Sequence, residues 1–191
     1  MSPDGTTRRG RLVLVVGPSG AGKDTLMRLA ARALGGRTDV TFARRLVTRA
    51  SGAHEDHDTI DEPAFEAAFA DRVFPLAWKA HGLGYALPGT IVDDLRQGRT
   101  VVANVSRSVV DDARCRFANV AVVLVTAPVE ELARRVAARG RDADTAQRVG
   151  RDAPAIEVLI PDLVIENVGD PVVAAAKLSG FLSRAVSCAA P

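Results

Sequence analysis

Lysine is scarce in this sequence: 3 residues against 22 arginines. With 23 acidic residues the formal net charge is only +2, too small for the basic footprint of a nucleic-acid-binding protein. Arginines so numerous can be assigned to function only by position. Cysteine is rarer still. Cys115 and Cys188 show no C-x-x-C and no metal-ligand spacing, so a reduced, cytoplasmic protein is expected. No apolar run reaches membrane-spanning length. The polar, basic stretch 1–10 resembles neither a signal peptide nor a membrane start and reads as a flexible tail. At 191 residues, with 47% hydrophobic and 25% charged residues, the chain is expected to form one soluble globular domain.

What is present is concentrated near the N-terminus. Residues 12–16, LVLVV, read as a buried parallel strand. The next eight residues are Gly17, Pro18, Ser19, Gly20, Ala21, Gly22, Lys23 and Asp24. Lys23 opens an amphipathic run with Leu26, Leu29, Ala30, Ala33 and Leu34 at helical spacing. Strand, glycine loop and helix form the context in which G-x-x-x-x-G-K binds phosphate. Loop N–H groups converge on one point and the helix N-terminus adds its positive end. Lys23 adds a point charge on the outer phosphates. A hydroxyl usually follows the lysine; here Asp24 does, with Thr25 one later.

Further along, the pattern alternates. Residues 40–47 read as one strand with Arg44 and Arg45 at its exposed edge. A helix starts at Asp61, Glu62 and Pro63, 74–80 are extended, and 81–85 (HGLGY) form a turn or loop. A helix over 88–98 leads to a buried strand at 101–105, a helix over 106–117 capped by Ser106, and a strand at 120–125. The helix over 128–139 carries Arg134 and Arg135 as surface arginines. A loop and short helix follow, with Arg139, Arg141, Arg148 and Arg151, then a strand at 163–167 and a helix over 171–188. Alternating apolar strands and helices predict an α/β fold, a mostly parallel sheet covered on both faces. Ligands in such sheets bind beyond the carboxyl ends of the strands, so segments near Arg49, Asn104 and Thr126 should share a crevice with the glycine loop. His54, Glu55, Asp56 and His57 lack a third spaced ligand for a metal and read as a solvated or acceptor-contacting loop. Trp78 reads as core or pocket wall.

GPSGAGKD, Thr48-Arg49, HGLGY, and RGRD followed by Arg148 occur in the order found in guanylate kinase-like proteins. Within that group the chain resembles the bacterial ribose 1,5-bisphosphate phosphokinases of phosphonate breakdown. The resemblance lies in Asp24 after the loop lysine, in Asn104 to Arg107 (N-V-S-R), and in Trp78 to Gly82. It spans residues 11–185. It implies a three-layer P-loop nucleoside monophosphate kinase-like fold, with an acceptor-binding insertion at about 38–87 and an arginine-containing lid at about 139–151. ATP would sit on residues 17–25, bordered by Asn167. Lys23, Arg139, Arg141 and Arg148 would stabilise the transferring phosphoryl group, and Arg49, His57, Tyr85, Asn104 and Arg107 would hold the acceptor. Asp24 would hold Mg²⁺, directly or through water.

Guanylate kinases hold the acceptor phosphate with a second arginine, where this chain has Gly52. They read guanine with an acid six residues before the turn glycine; here that residue is Leu76. They also place acids in the strand equivalent to 101–105, which here holds Ala103, Asn104 and Val105. Removing base-reading groups removes the reason to prefer guanine. The reaction that the resemblance implies is transfer from ATP to ribose 1,5-bisphosphate, giving 5-phosphoribosyl 1-diphosphate (PRPP). The partners would be ATP and a small phosphorylated sugar, with no nucleic acid or membrane; the oligomeric state is left open. A nucleoside monophosphate kinase and a non-catalytic guanylate kinase-like binding module are the alternatives.

Overall fold

A computed structural model describes residues 10–50, 57–138 and 159–187. Five strands form one wholly parallel sheet in the order β2-β7-β1-β8-β9. They are β1 (Arg11–Val16), β2 (Val40–Phe42), β7 (Thr100–Asn104), β8 (Val120–Thr126) and β9 (Leu163–Glu166). The apolar runs explain the order. Leu12 to Val16, Val101 to Ala103 and Ala121 to Val123 are fully buried, as strands with both faces covered must be.

One face packs on α1 (Lys23–Ala33) and α6 (Pro171–Ser187): Val13, Val15 and Val123 meet Leu26, Ala30, Leu178 and Leu182. On the other face Leu12, Leu14 and Val122 meet Ile91 of α3 (Thr90–Arg96) and Val110 and Ala113 of α4 (Val110–Arg116). Each such Val or Leu contributes about 1.5–3 kcal/mol of burial, as an upper estimate. Helix α5 (Val129–Ala137) follows β8. Among the described residues no helix is long and apolar enough to cross a membrane.

The stretch 40–47 is two strands on two sheets, not one. β2 ends at Phe42, and after Ala43 and Arg44 the chain enters β3 (Arg45–Val47) of a second sheet, ordered β4-β3-β6-β5. Its other strands are β4 (His57–Thr59), β5 (Leu76–Ala80) and β6 (Leu83–Leu87), and α2 (Glu62–Ala70) covers its outer face. Phe65 of α2 is fully buried where Gly84 leaves room for its ring. Residues 81–85 are likewise more ordered than a loop. His81 and Gly82, at φ 54° and 72°, form a two-residue hairpin turn, and Tyr85 lies within β6. Leu76, Trp78 and Leu87 of this sheet join the core beneath α3 and α4, so the second sheet is fixed against the first.

Residues 1–9 lie outside the described residues. Gly10, grouped with them in the sequence, donates its N–H to the Leu95 carbonyl at 3.0 Å.

Candidate active site

The carboxyl ends of the parallel strands bring together the loop after β1, Asn104 at the end of β7, Thr126 at the end of β8 and Asn167 just past β9. The chain moves outward from β1 to β2 and β7 on one side, and to β8 and β9 on the other. The loop therefore stands at the switch point where such sheets bind ligands.

The loop is held from three directions. Gly17, at φ 146°, lies so close to β8 that a Cβ there would meet the Val125 carbonyl. Helix α5 crosses Gly20, with the Leu132 carbonyl 2.9 Å from where a Cβ would stand. Asn167, 3% exposed, donates Nδ2–H to the Ala21 carbonyl at 2.8 Å, while its Oδ1 is buried without a hydrogen-bond partner among the described residues. Pro18 and Gly20 are buried and Ser19 is exposed. Lys23 arches back over the loop, donating to the carbonyls of Gly17 at 2.7 Å and Pro18 at 3.0 Å. Thr25 lies in the first turn of α1.

Asp24 joins the loop to both sheets. Its Oδ1 accepts 2.6 Å from Asn104 Nδ2 and lies 3.6 Å from the Arg45 guanidinium. Asn104 is 5% exposed. Its amide therefore orients the Asp24 carboxylate, a different task from the acceptor contact expected of it. His57 also differs from expectation. It is 2% exposed, with its Nε2 within 3.1 Å of the Arg49 carbonyl, where it braces the Arg49 backbone. Thr59 Oγ1 donates to the same carbonyl at 3.3 Å. Arg49 itself is exposed. Tyr85 stacks on Trp78, ring centroids 5.4 Å apart and 6° from parallel. Arg107 opens a 3-10 turn directly after β7, partly exposed, with Ser106 Oγ accepting from the Ser108 N–H.

The sequence pattern predicts a surface position for Arg135. It is instead half-buried, donating to Glu131 Oε1 at 2.7 Å and to the Asn167 carbonyl at 3.0 Å. Its guanidinium lies 4.0 Å from a Cβ built on Gly22. Arg134, largely exposed, binds both oxygens of Glu131. The hydrogen bonds from Arg134, and then Arg135, hold the Glu131 carboxyl below the usual carboxylate range. Glu131 thus stays ionised and keeps Arg135 at the loop. The expected lid residues Arg139, Arg141 and Arg148, together with Gly52, His54, Glu55 and Asp56, lie outside the described residues. Among the described residues no group of three or more His, Cys, Asp or Glu could hold a metal ion by itself.

A family model described as an AAA domain matches residues 12–155. The chain is 53% identical over 175 residues to the ribose 1,5-bisphosphate phosphokinase PhnN of Methylobacterium radiotolerans, covering 91% of this chain and 97% of that one. The chain belongs to the ribose 1,5-bisphosphate phosphokinase family. A second member, from Rhodopseudomonas palustris, is 53% identical over 165 residues, 85% of this chain and 83% of its own. Among solved structures, a guanylate kinase from Anaplasma phagocytophilum superposes with a TM-score of 0.71 at 16% identity, covering 96% of this chain and 89% of that one. The family thus carries a guanylate kinase-like fold, an α/β P-loop architecture with a mostly parallel central sheet.

Proposed function

We propose that the chain transfers the γ-phosphoryl group of ATP to ribose 1,5-bisphosphate, giving PRPP and ADP in phosphonate breakdown. An oxygen of the acceptor's 1-phosphate attacks Pγ, the bond from Pγ to the bridging oxygen breaks, and ADP leaves. With a second pKa of about 6, a phosphate monoester is mostly dianionic at neutral pH, so no side chain need act as base. The work left to the protein is to bring two anions together and to stabilise charge on the group in flight.

Lys23 and the loop N–H groups suit the ATP phosphates. Arg135 beside Gly22, and Arg139, Arg141 and Arg148 of the lid, would supply further charge. A recess lined by Pro128, Glu130, Glu131, Arg134, Val168 and Gly169, about 440 Å³ in volume, adjoins Asn167 and would receive the base. Arg49, Tyr85 and Arg107 would contact the acceptor.

The observation that carries the choice of acceptor is the environment of Leu76. Where guanylate kinases place a base-reading acid, Leu76 is fully buried in the apolar core. At the carboxyl end of β7 the polar side chain among the described residues is Asn104, engaged by Asp24. Among the described residues neither position offers a carboxylate to pair with a guanine edge. Product analysis with ATP and Mg²⁺, offering ribose 1,5-bisphosphate and GMP in turn, is expected to yield PRPP and little GDP. Formation of GDP without PRPP would replace the sugar phosphate by a nucleotide.

Asp24 fits a divalent cation. Among the described residues both of its polar side-chain contacts fall on Oδ1, on a side chain 45% exposed, leaving Oδ2 as a hard donor beside the loop lysine. Mg²⁺ takes one or two carboxylates plus substrate phosphates, and when bound it neutralises phosphate charge. Asp24→Asn should raise the Mg²⁺ concentration for half-maximal activity about 10-fold or more, well beyond any rise in the acceptor KM. An unchanged Mg²⁺ titration would remove Asp24 from the metal site.

A further inference from the structure

We infer that Arg45 binds the reacting phosphate of the acceptor, the one at the sugar's C1, and so decides which anion is presented to the loop. The inference rests on the acceptor reading above. Arg45 starts β3, immediately after the corner that carries the chain from the main sheet to the second sheet. Side chains alternate along a strand, so Arg45 and Val47 share one face of β3. Val47 is paired with Tyr85, and Tyr85 with Trp78. Trp78 belongs to the core between the two sheets and Tyr85 packs against it. The face bearing Arg45 is therefore the one turned towards the main sheet and its loop, and α2 covers the opposite face through Phe65 at Gly84.

The side chain is only 17% exposed, yet its charged neighbour among the described residues, Asp24, stands 3.6 Å away, beyond hydrogen-bond length. Among the described residues the guanidinium makes no hydrogen bond. A guanidinium carries five N–H donors in a planar fork that matches a phosphate bidentately. Here the fork is held at the boundary of loop and second sheet, beside the carboxylate proposed to face the metal. A bisphosphate acceptor must put one phosphate at the loop and the other away from it. Arg45 is the β3 arginine at the loop; Arg49, four residues further, lies past the strand's far end.

The test uses ribose 5-phosphate, which lacks the C1 phosphate, as a competitive inhibitor. Arg45→Gln should lower kcat/KM for ribose 1,5-bisphosphate by about 10–100-fold, as expected for loss of charge-assisted hydrogen bonds. Its inhibition constant for ribose 5-phosphate and its Kd for ATP should match the parent protein's. Arg45→Lys, keeping charge without the fork, should recover part of the loss and serves as the second variant should the glutamine protein fold poorly. If both variants weaken ribose 5-phosphate as much as the bisphosphate, or weaken ATP alone, the inference is wrong. If the parent protein turns over a different phosphorylated acceptor instead, the acceptor reading falls. Arg45 is then judged on that acceptor, where equal kcat/KM for parent and variants overturns it.

Discussion

Replacing Lys23 by alanine is expected to lower kcat by about 10²–10³-fold, the usual cost of removing one preorganised donor aimed at charge in a transition state. The ammonium's contacts at 2.7 and 3.0 Å are to the loop's own carbonyls, so it is held over the concavity the phosphates would fill. On binding it can exchange those carbonyls for phosphate oxygens with little movement. Its share in the fold is small: it is only partly buried, and the loop is fixed by β8, α5 and Asn167. The two hydrogen bonds to the loop carbonyls, partly solvated, are worth about 1–3 kcal/mol together. Steady-state kinetics beside a thermal melt checks this. A loss under 10-fold, or one matched by unfolding, would assign Lys23 to loop stability. The effect should appear with any acceptor, whereas that of Arg45 should depend on the C1 phosphate.

The loop, its strand and its helix are legible in the sequence because each rests on local rules: a β-branched apolar run, glycines, then helical spacing. The parallel sheet follows from three such runs separated by helices. The second sheet is less legible. Its strands are three to five residues long, and the corner at Ala43 and Arg44 carries no glycine or proline to announce it. Arg45 therefore reads as an edge residue although it is largely buried beside the loop. Arg135 is hidden for another reason. Spacing within α5 shows which residues share a face, but the approach of that helix to Gly20 and Gly22 is a tertiary fact. His57 and Asn104 illustrate the converse. Their residue types are right for binding a phosphorylated sugar, yet each is buried and bonded to a residue that faces the crevice. Polar residues at such a site divide between those that contact a ligand and those that orient the contacts, a division set by burial.

Gly17→Ala should be the most damaging small substitution at the site, lowering stability by about 3–5 kcal/mol. Two costs combine. The φ of 146° lies where an L side chain is strained, at about 1–3 kcal/mol. The new Cβ would also meet a backbone carbonyl, that of Val125. That oxygen belongs to a central strand that cannot move without disturbing its pairing with β1, and forced repacking of this kind adds about 1–3 kcal/mol. Gly36→Ala separates the two costs. Gly36 has φ 86° but nothing within 4 Å of its would-be Cβ, so it should show the conformational cost alone, about 1–2 kcal/mol. Urea unfolding of both variants decides the matter. Equal midpoints would mean that the loop can lift from β8 without penalty. A much lower midpoint for Gly17→Ala, with Lys23 intact, would show that the phosphate loop is rigid because the sheet beneath it leaves no room for a methyl group.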